Sequence, residues 1–300
     1  MNINGIKVFQ KYNSMASFIL YTYQCDPITK VENKLFEKLP SMQERMDKKL
    51  EYIHSTITNP RFKFRSKKDG EFNLKIYYNE DGIIVLKIAN NKQLNLEEDF
   101  RKKQHHYSPS CFVIIDNRTN VQRIAIEENI TAFSSTDVVR NIIEYSLKQS
   151  LRGYGLSIEV KKEYEKKEFW DLISNQTKGV SMVRFSFSYP NLPRVHQSIN
   201  ELINSESKVV HSKQTTLEYR SDNSEQLELQ ESNPQLSGLV DASANSGHPI
   251  TIKAKGIRKF IHTGNTTKRI YIEDLEANIQ EGDLFQKTAE KIVECLNSVK

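Results

Sequence analysis

The chain has 300 residues, 37% hydrophobic and 27% charged, and contains no apolar run near the roughly 18 residues of a membrane helix. These values argue against a disordered or membrane-spanning chain and leave room for two modest domains or one large one. The net charge of +5 comes from 30 lysines and 13 arginines against 38 carboxylates; coding bias alone yields such a lysine excess, so only local clusters carry weight.

The first segments read as short strands, Ile6–Phe9 and Phe18–Tyr21, separated by the polar Asn13-Ser14. A helix is expected around Val31 to Leu39. A second follows Pro40, where Ser41-Met42-Gln43-Glu44 is a capping box and Met42, Met46, Leu50, Ile53 and Ile57 recur at helical spacing. Phe72, Leu74, Ile76 and Tyr78 alternate into a strand that turns at Asn79-Glu80-Asp81-Gly82 and returns through Ile83–Leu86. The polar segment from Asn90 to Ser108 breaks this pattern. It suggests a domain boundary, with one α+β domain over 1–107 and another over 108–300, and a short helix over Leu94 to Phe100.

A second hairpin pairs Cys111–Ile115 with Val121–Ile126. A helix capped near Ser134–Asp137 buries Val139, Ile142, Ile143, Leu147 and Leu151 and stops at Gly153 and Gly155. A strand at Leu156–Val160 and a helix over Glu163–Ile173 follow, the latter carrying Trp170 as a core residue. Further elements are a strand through Val183–Phe187, a helix with Val195, Ile199, Leu202 and Ile203, and strands at Val209–Tyr219 and Gln226–Gln230. A helix opens at Asn233-Pro234 and ends at Gly247, strands lie at Ile250–Ala254 and Arg269–Ile272, and an amphipathic helix carries Phe285, Ala289, Ile292 and Leu296. Hairpins mixed with helices give an α+β fold class of mixed or antiparallel sheets, with ferredoxin-like units expected in the C-terminal part.

Two basic clusters stand out. Arg61, Lys63 and Arg65 alternate with Phe62 and Phe64, placing three cations on one strand face, with Tyr77 and Tyr78 nearby as stacking groups. Lys253, Lys255, Arg258, Lys259, Lys268 and Arg269 lie in a stretch without a carboxylate, and Thr263–Thr267 supplies flexible backbone able to close over a phosphate. A solvated strand and a solvated hairpin are the simpler readings of the two clusters.

Catalytic signatures are weak. Glu159 and Lys161 form an E-x-K pair on one strand face, the kind a Mg²⁺-dependent nuclease completes with an upstream aspartate such as Asp116 or Asp137. Arg101 and His106, and the adjacent His105-His106, lack the context of a ribonuclease or metal site. No nucleophile elbow, zinc-protease or dinucleotide motif occurs, and no cofactor or resident metal is expected. Cys25, Cys111 and Cys295 are widely spaced and odd in number, which argues for reduced thiols and a cytoplasmic setting.

The run Ile124–Pro193, with Phe133, the helix to Leu151, Phe169-Trp170 and Tyr189-Pro190-Asn191-Leu192-Pro193, resembles uncharacterised bacterial proteins of anti-phage defence loci. Asn233–Leu236 and Lys253–Gly256 extend the resemblance, which covers about the C-terminal two thirds of the chain. It implies a defence role and brings no catalytic assignment. The expectation is a non-catalytic component that binds DNA or RNA beside a partner protein, with homo-oligomerisation open. A metal-dependent nuclease and a protein–protein adaptor or inhibitor are the alternatives.

Overall fold

A computed structural model describes residues 15–28, 40–68, 70–98, 100–119, 121–188, 214–222, 224–273, 275–276 and 285–298. The expected elements at Ile6–Phe9, Val31–Leu39 and Val195–Ile203, and the Tyr189–Pro193 run, lie outside these residues. The chain divides into two units: one combines residues 1–18 with 269–300, and the other spans 19–268.

The larger unit is built on a curled sheet. Its strands are β1 (Met15–Pro27, from Ile19 onward in this unit), β2 (Phe64–Arg65), β3 (Glu71–Glu80), β4 (Ile83–Ala89), β7 (Ser110–Asp116), β8 (Arg123–Glu127) and β9 (Leu156–Lys162). The order is β1-β8-β7-β4-β3-β2, and β9 pairs antiparallel with β1 from Tyr21↔Lys162 to Pro27↔Leu156. Helices α1 (Met42–Asp47), α2 (Lys49–Thr58) and α3 (Thr136–Leu151) cover one face. The capping box is present in full: Ser41 Oγ accepts from Glu44 N–H, and the Glu44 carboxylate accepts from Ser41 N–H at 2.8 Å. Ile53, Ile57, Val139, Ile142, Ile143 and Leu147 pack on Tyr21, Tyr23, Leu86, Val113, Ile124 and Ile158. The alternate residues Ile83, Val85, Phe112, Ile114 and Ala125 are buried as well, so these central strands read as continuous apolar runs.

A boundary at 107/108 does not separate two sheets. β4 pairs with β7 from Ile83↔Asp116 to Ala89↔Ser110, which joins strands from both sides of that position. The polar segment 90–108 forms neither a linker nor a helix at Leu94–Phe100. It folds as β5 (Lys92–Glu98) and β6 (Arg101–Tyr107), a separate two-stranded antiparallel sheet.

A second antiparallel sheet in the same unit has the order β11 (Gln214–Arg220), β10 (Val180–Ser188), β12 (Thr251–Ala254), β13 (Ile261–His262). β11 and β12 both run antiparallel to β10, which lies between them, and α5 (Pro234–Asn245) falls between them in the chain. This is one split β-α-β unit of the ferredoxin-like kind. α5 and α4 (Lys167–Ser174) bury Leu236, Leu239, Val240, Phe169 and Trp170 against Val183, Phe185, Phe187 and Ile252. Gln226–Gln230 is not a strand. Leu227 and Leu229 pack on this core, with Leu227 N–H donating to Val180 C=O, but no ladder forms.

The helix expected from Glu163 starts at Lys167 because Glu163 and Tyr164 are drawn into the interior. The Glu163 carboxylate accepts from Arg123 Nε at 2.7 Å and Nη2 at 2.9 Å, with both side chains buried. The Tyr164 hydroxyl donates to His248 C=O at 2.9 Å. In the smaller unit, β14 (Arg269–Glu273) is ordered beside β1, whose residues Met15–Phe18 belong to that unit, and α6 (Phe285–Ser298) packs on β14. No helix among the described residues is long and apolar enough to cross a membrane.

Candidate nucleic-acid interface

The alternation in Arg61–Arg65 has the expected sense, although the regular strand is only two residues long. Phe64 is fully buried, Phe62 packs against the core edge-on to it at 5.1 Å, and Arg61, Lys63 and Arg65 face outward. Ser146 on α3 fixes this edge: its Oγ accepts from Arg65 N–H at 2.7 Å and lies 3.1 Å from Arg65 C=O. Arg61 is set by its own N–H, which donates to Asn59 Oδ1 at 2.9 Å.

The three cations line a cleft of 460 Å³ between α2, β2 and α3. Its other walls are Ser55, Thr56, Asn59, Phe62, Tyr145, Ser146, Gln149, Ser150 and Tyr154, so it holds hydroxyls, amides and two phenol rings and, among the described residues, no carboxylate. Tyr154 stacks on Tyr52 at 4.3 Å with 13° between the rings. Glu71 stands opposite Arg65 in the β2–β3 ladder. It receives Lys63 Nζ at 2.7 Å and Arg65 Nη2 at 2.6 Å, and these hydrogen bonds hold its carboxyl below the ordinary range. All three partners remain about half exposed, so the pairing is weak and exchangeable.

Tyr77 and Tyr78 do not line this cleft. Tyr77 packs toward Phe112 and lies under Lys75 and Lys87, which sit 4.9 and 5.9 Å from its ring centre. Tyr145 and Tyr154 take the aromatic positions instead. For Tyr145 the signal in the sequence is the set Tyr145, Ser146, Gln149 and Ser150, which recur at three- and four-residue spacing along one stripe of α3.

The second basic cluster does not form one surface. Lys268 is buried, 8% exposed, and donates to Asn245 Oδ1 at 3.0 Å, which removes it from any external phosphate. Arg269 opens β14 and belongs to the smaller unit. Lys253 Nζ donates to Arg258 C=O at 2.6 Å and lies 5.1 Å from the Phe260 ring centre. Lys255, Arg258 and Lys259 remain at the β12–β13 connection, where Arg258 and Lys259 are exposed beside the exposed Ile257 and Phe260.

The loop Thr263–Thr267 does cradle an anion, and the anion is internal. The Glu168 carboxylate accepts from the N–H groups of Gly264, Asn265 and Thr266 at 3.0, 3.0 and 3.1 Å, from Asn265 Nδ2 at 3.1 Å and from Thr266 Oγ1 at 2.7 Å. Burial alone would raise its pKa. The bonds from Asn265, Thr266 and Gly264 outweigh that and hold it below the ordinary value.

Glu159 and Lys161 share a face as expected and form an ion pair at 3.0 Å, with Lys161 Nζ also 3.2 Å from His248 Nε2. Burial, with Lys161 beside it, lowers the His248 pKa to about 4. Asp116 is engaged by Arg118 at 2.6 Å, and Asp137 by Lys162 and Tyr21. Among the described residues, no three His, Cys, Asp or Glu side chains converge as a metal centre would require. Arg101, His105 and His106 lie along exposed β6.

Comparison of the chain with protein-family models and with curated proteins finds no match.

Proposed function

We propose that this chain is a non-catalytic nucleic-acid-binding component of a bacterial anti-phage defence system that acts beside a partner protein. The nucleic-acid part rests on the cleft: three cations and two tyrosine rings, with no carboxylate among the described residues, line one opening of 460 Å³. Single-stranded nucleic acid is bound by such a combination, in which cations follow the phosphates and rings stack on bases without regard to sequence. The polar hydroxyls and amides of α2 and α3 suit contacts to sugar and phosphate oxygens. The exposed Arg258 and Lys259, with the half-buried Lys255 beside them, supply a second phosphate contact. The defence part rests on the resemblance noted above.

The test is binding of labelled single- and double-stranded DNA and RNA at two salt concentrations with Mg²⁺ present. Salt-sensitive binding of single strands without cleavage is expected. Glu71→Gln should tighten it several-fold, because Lys63 and Arg65 then lose their internal competitor. Absent or salt-insensitive binding would sink the proposal, and Mg²⁺-dependent cutting would return attention to Glu159 and Lys161.

A further inference from the structure

The β5–β6 ribbon continues the β4–β7 pair in one register: Ile83↔Asp116 to Ala89↔Ser110 carries on as Lys92↔Tyr107 to Glu98↔Arg101. Beyond the waist at Asn90-Asn91 and Ser108-Pro109, its extensive contacts among the described elements are between its own two strands. The seven pairs form an arm about 20 Å long. Every residue of β6 is exposed, as are Gln93 through Glu97. A lone two-stranded ribbon is marginal in water, and an uncovered edge is a template for another strand.

The phase of the ladder shows which groups the free edge offers. Asn117 N–H donates to Gly82 C=O at 2.7 Å and Asn90 N–H to Pro109 C=O at 2.8 Å, so the even-numbered residues of β4 and β5 bond inward to β7 and β6. The odd residues Gln93, Asn95 and Glu97 therefore direct their N–H and C=O groups to the other edge of β5, along which no strand among the described residues pairs.

We infer that this edge pairs with the same edge of a second copy, antiparallel about a two-fold axis at Asn95. That register bonds Asn95 to Asn95 and Gln93 to Glu97. It sets Lys92 and Glu98 at facing register positions, and places Leu94 opposite Leu96 in the closely spaced, non-hydrogen-bonded positions. Leu94 and Leu96, 46% and 41% exposed in the single chain, become a patch of four leucines on one face of a four-stranded ribbon. The tip of each arm, where Phe100 is 99% exposed at φ +60°, comes level with the base of the other. There Ile130 stands 80% exposed on the turn whose Thr131 C=O accepts from Lys92. The partner that fits this edge is a second copy because the sequence of β5 is complementary to itself when reversed.

Sedimentation equilibrium of the full chain should give twice the 34.9 kDa chain mass. Asn95→Pro removes only an outward N–H and should weaken association about a hundredfold while the thermal transition of the body persists. Asn95→Cys gives the positive test. The proposed register brings the two Cα atoms to about 5.5 Å, so mild oxidation should cross-link this variant, but neither Gln104→Cys on the outer strand nor the unsubstituted chain. A monomer at all soluble concentrations, a dimer indifferent to Asn95→Pro, or equal cross-linking of Asn95→Cys and Gln104→Cys would each overturn the inference.

Discussion

Replacing Glu168 with alanine empties the cradle formed by Gly264, Asn265 and Thr266. The carboxylate accepts five hydrogen bonds of 2.7 to 3.1 Å there, three of them from backbone N–H groups. Hydrogen bonds to a charged group contribute about 1.5–3 kcal/mol each, but the loop is exposed enough for water to replace several of them, so the net loss should be about 2–4 kcal/mol. Urea denaturation should show this as a lower midpoint at unchanged slope. The pH dependence has a definite sign. With the native pKa held below the ordinary carboxyl value, the stabilisation is present above about pH 4.3 and is lost as pH falls through the lowered native value. The alanine variant should lack that component. Inorganic phosphate should raise the midpoint of Glu168→Ala more than that of the unsubstituted chain, because the vacated N–H groups then face an external anion. A midpoint shift worth less than about 0.5 kcal/mol, the range of an ordinary surface substitution, would refute the reasoning.

Glu163→Gln leaves the buried Arg123 without its counter-charge and should cost about 3–5 kcal/mol in chemical denaturation, whereas replacing both by apolar residues of similar volume should cost far less. Gly247 sits at φ +63°, and an added Cβ would lie 2.6 Å from Lys161 Cβ and 2.7 Å from Lys162 O, so Gly247→Ala should lower the thermal midpoint by several degrees. His248, neutral in the fold with its pKa lowered to about 4, contributes stability that is complete above its unfolded pKa near 6.5 and declines as pH falls toward 4. His248→Gln should flatten the stability profile across that window.

The parts of the fold that were legible in the sequence are those written locally. Ser41 and Glu44 fix a helix start within four residues, and the alternation of Phe72 to Tyr78 followed by Gly82 fixes a hairpin. The β5–β6 arm was not legible as strand because it has no buried face: Leu94 and Leu96 alternate, but every neighbour is polar and the period is masked. Gln226–Gln230 failed in the opposite way, since its leucines are drawn to a core without a ladder to join. At the site, the outward face of Arg61, Lys63 and Arg65 follows from alternation with Phe62 and Phe64, while Tyr145 and Tyr154 reach the same cleft only through the packing of α3 on β2. Lys268 shows the limit of charge counting, because a lysine adjacent to Arg269 in the chain is buried on the amide of Asn245, far away in sequence.

The salt dependence of binding to a single-stranded oligonucleotide, compared between the unsubstituted chain and the combined Arg61→Gln, Lys63→Gln and Arg65→Gln variant, tests the nucleic-acid role most directly. Each phosphate neutralised on a single strand contributes about −0.7 to the slope of log affinity against log salt, so loss of three cations should make the slope shallower by about 2. An equal slope and equal affinity in the two proteins would contradict the assignment of the cleft as a phosphate-binding surface.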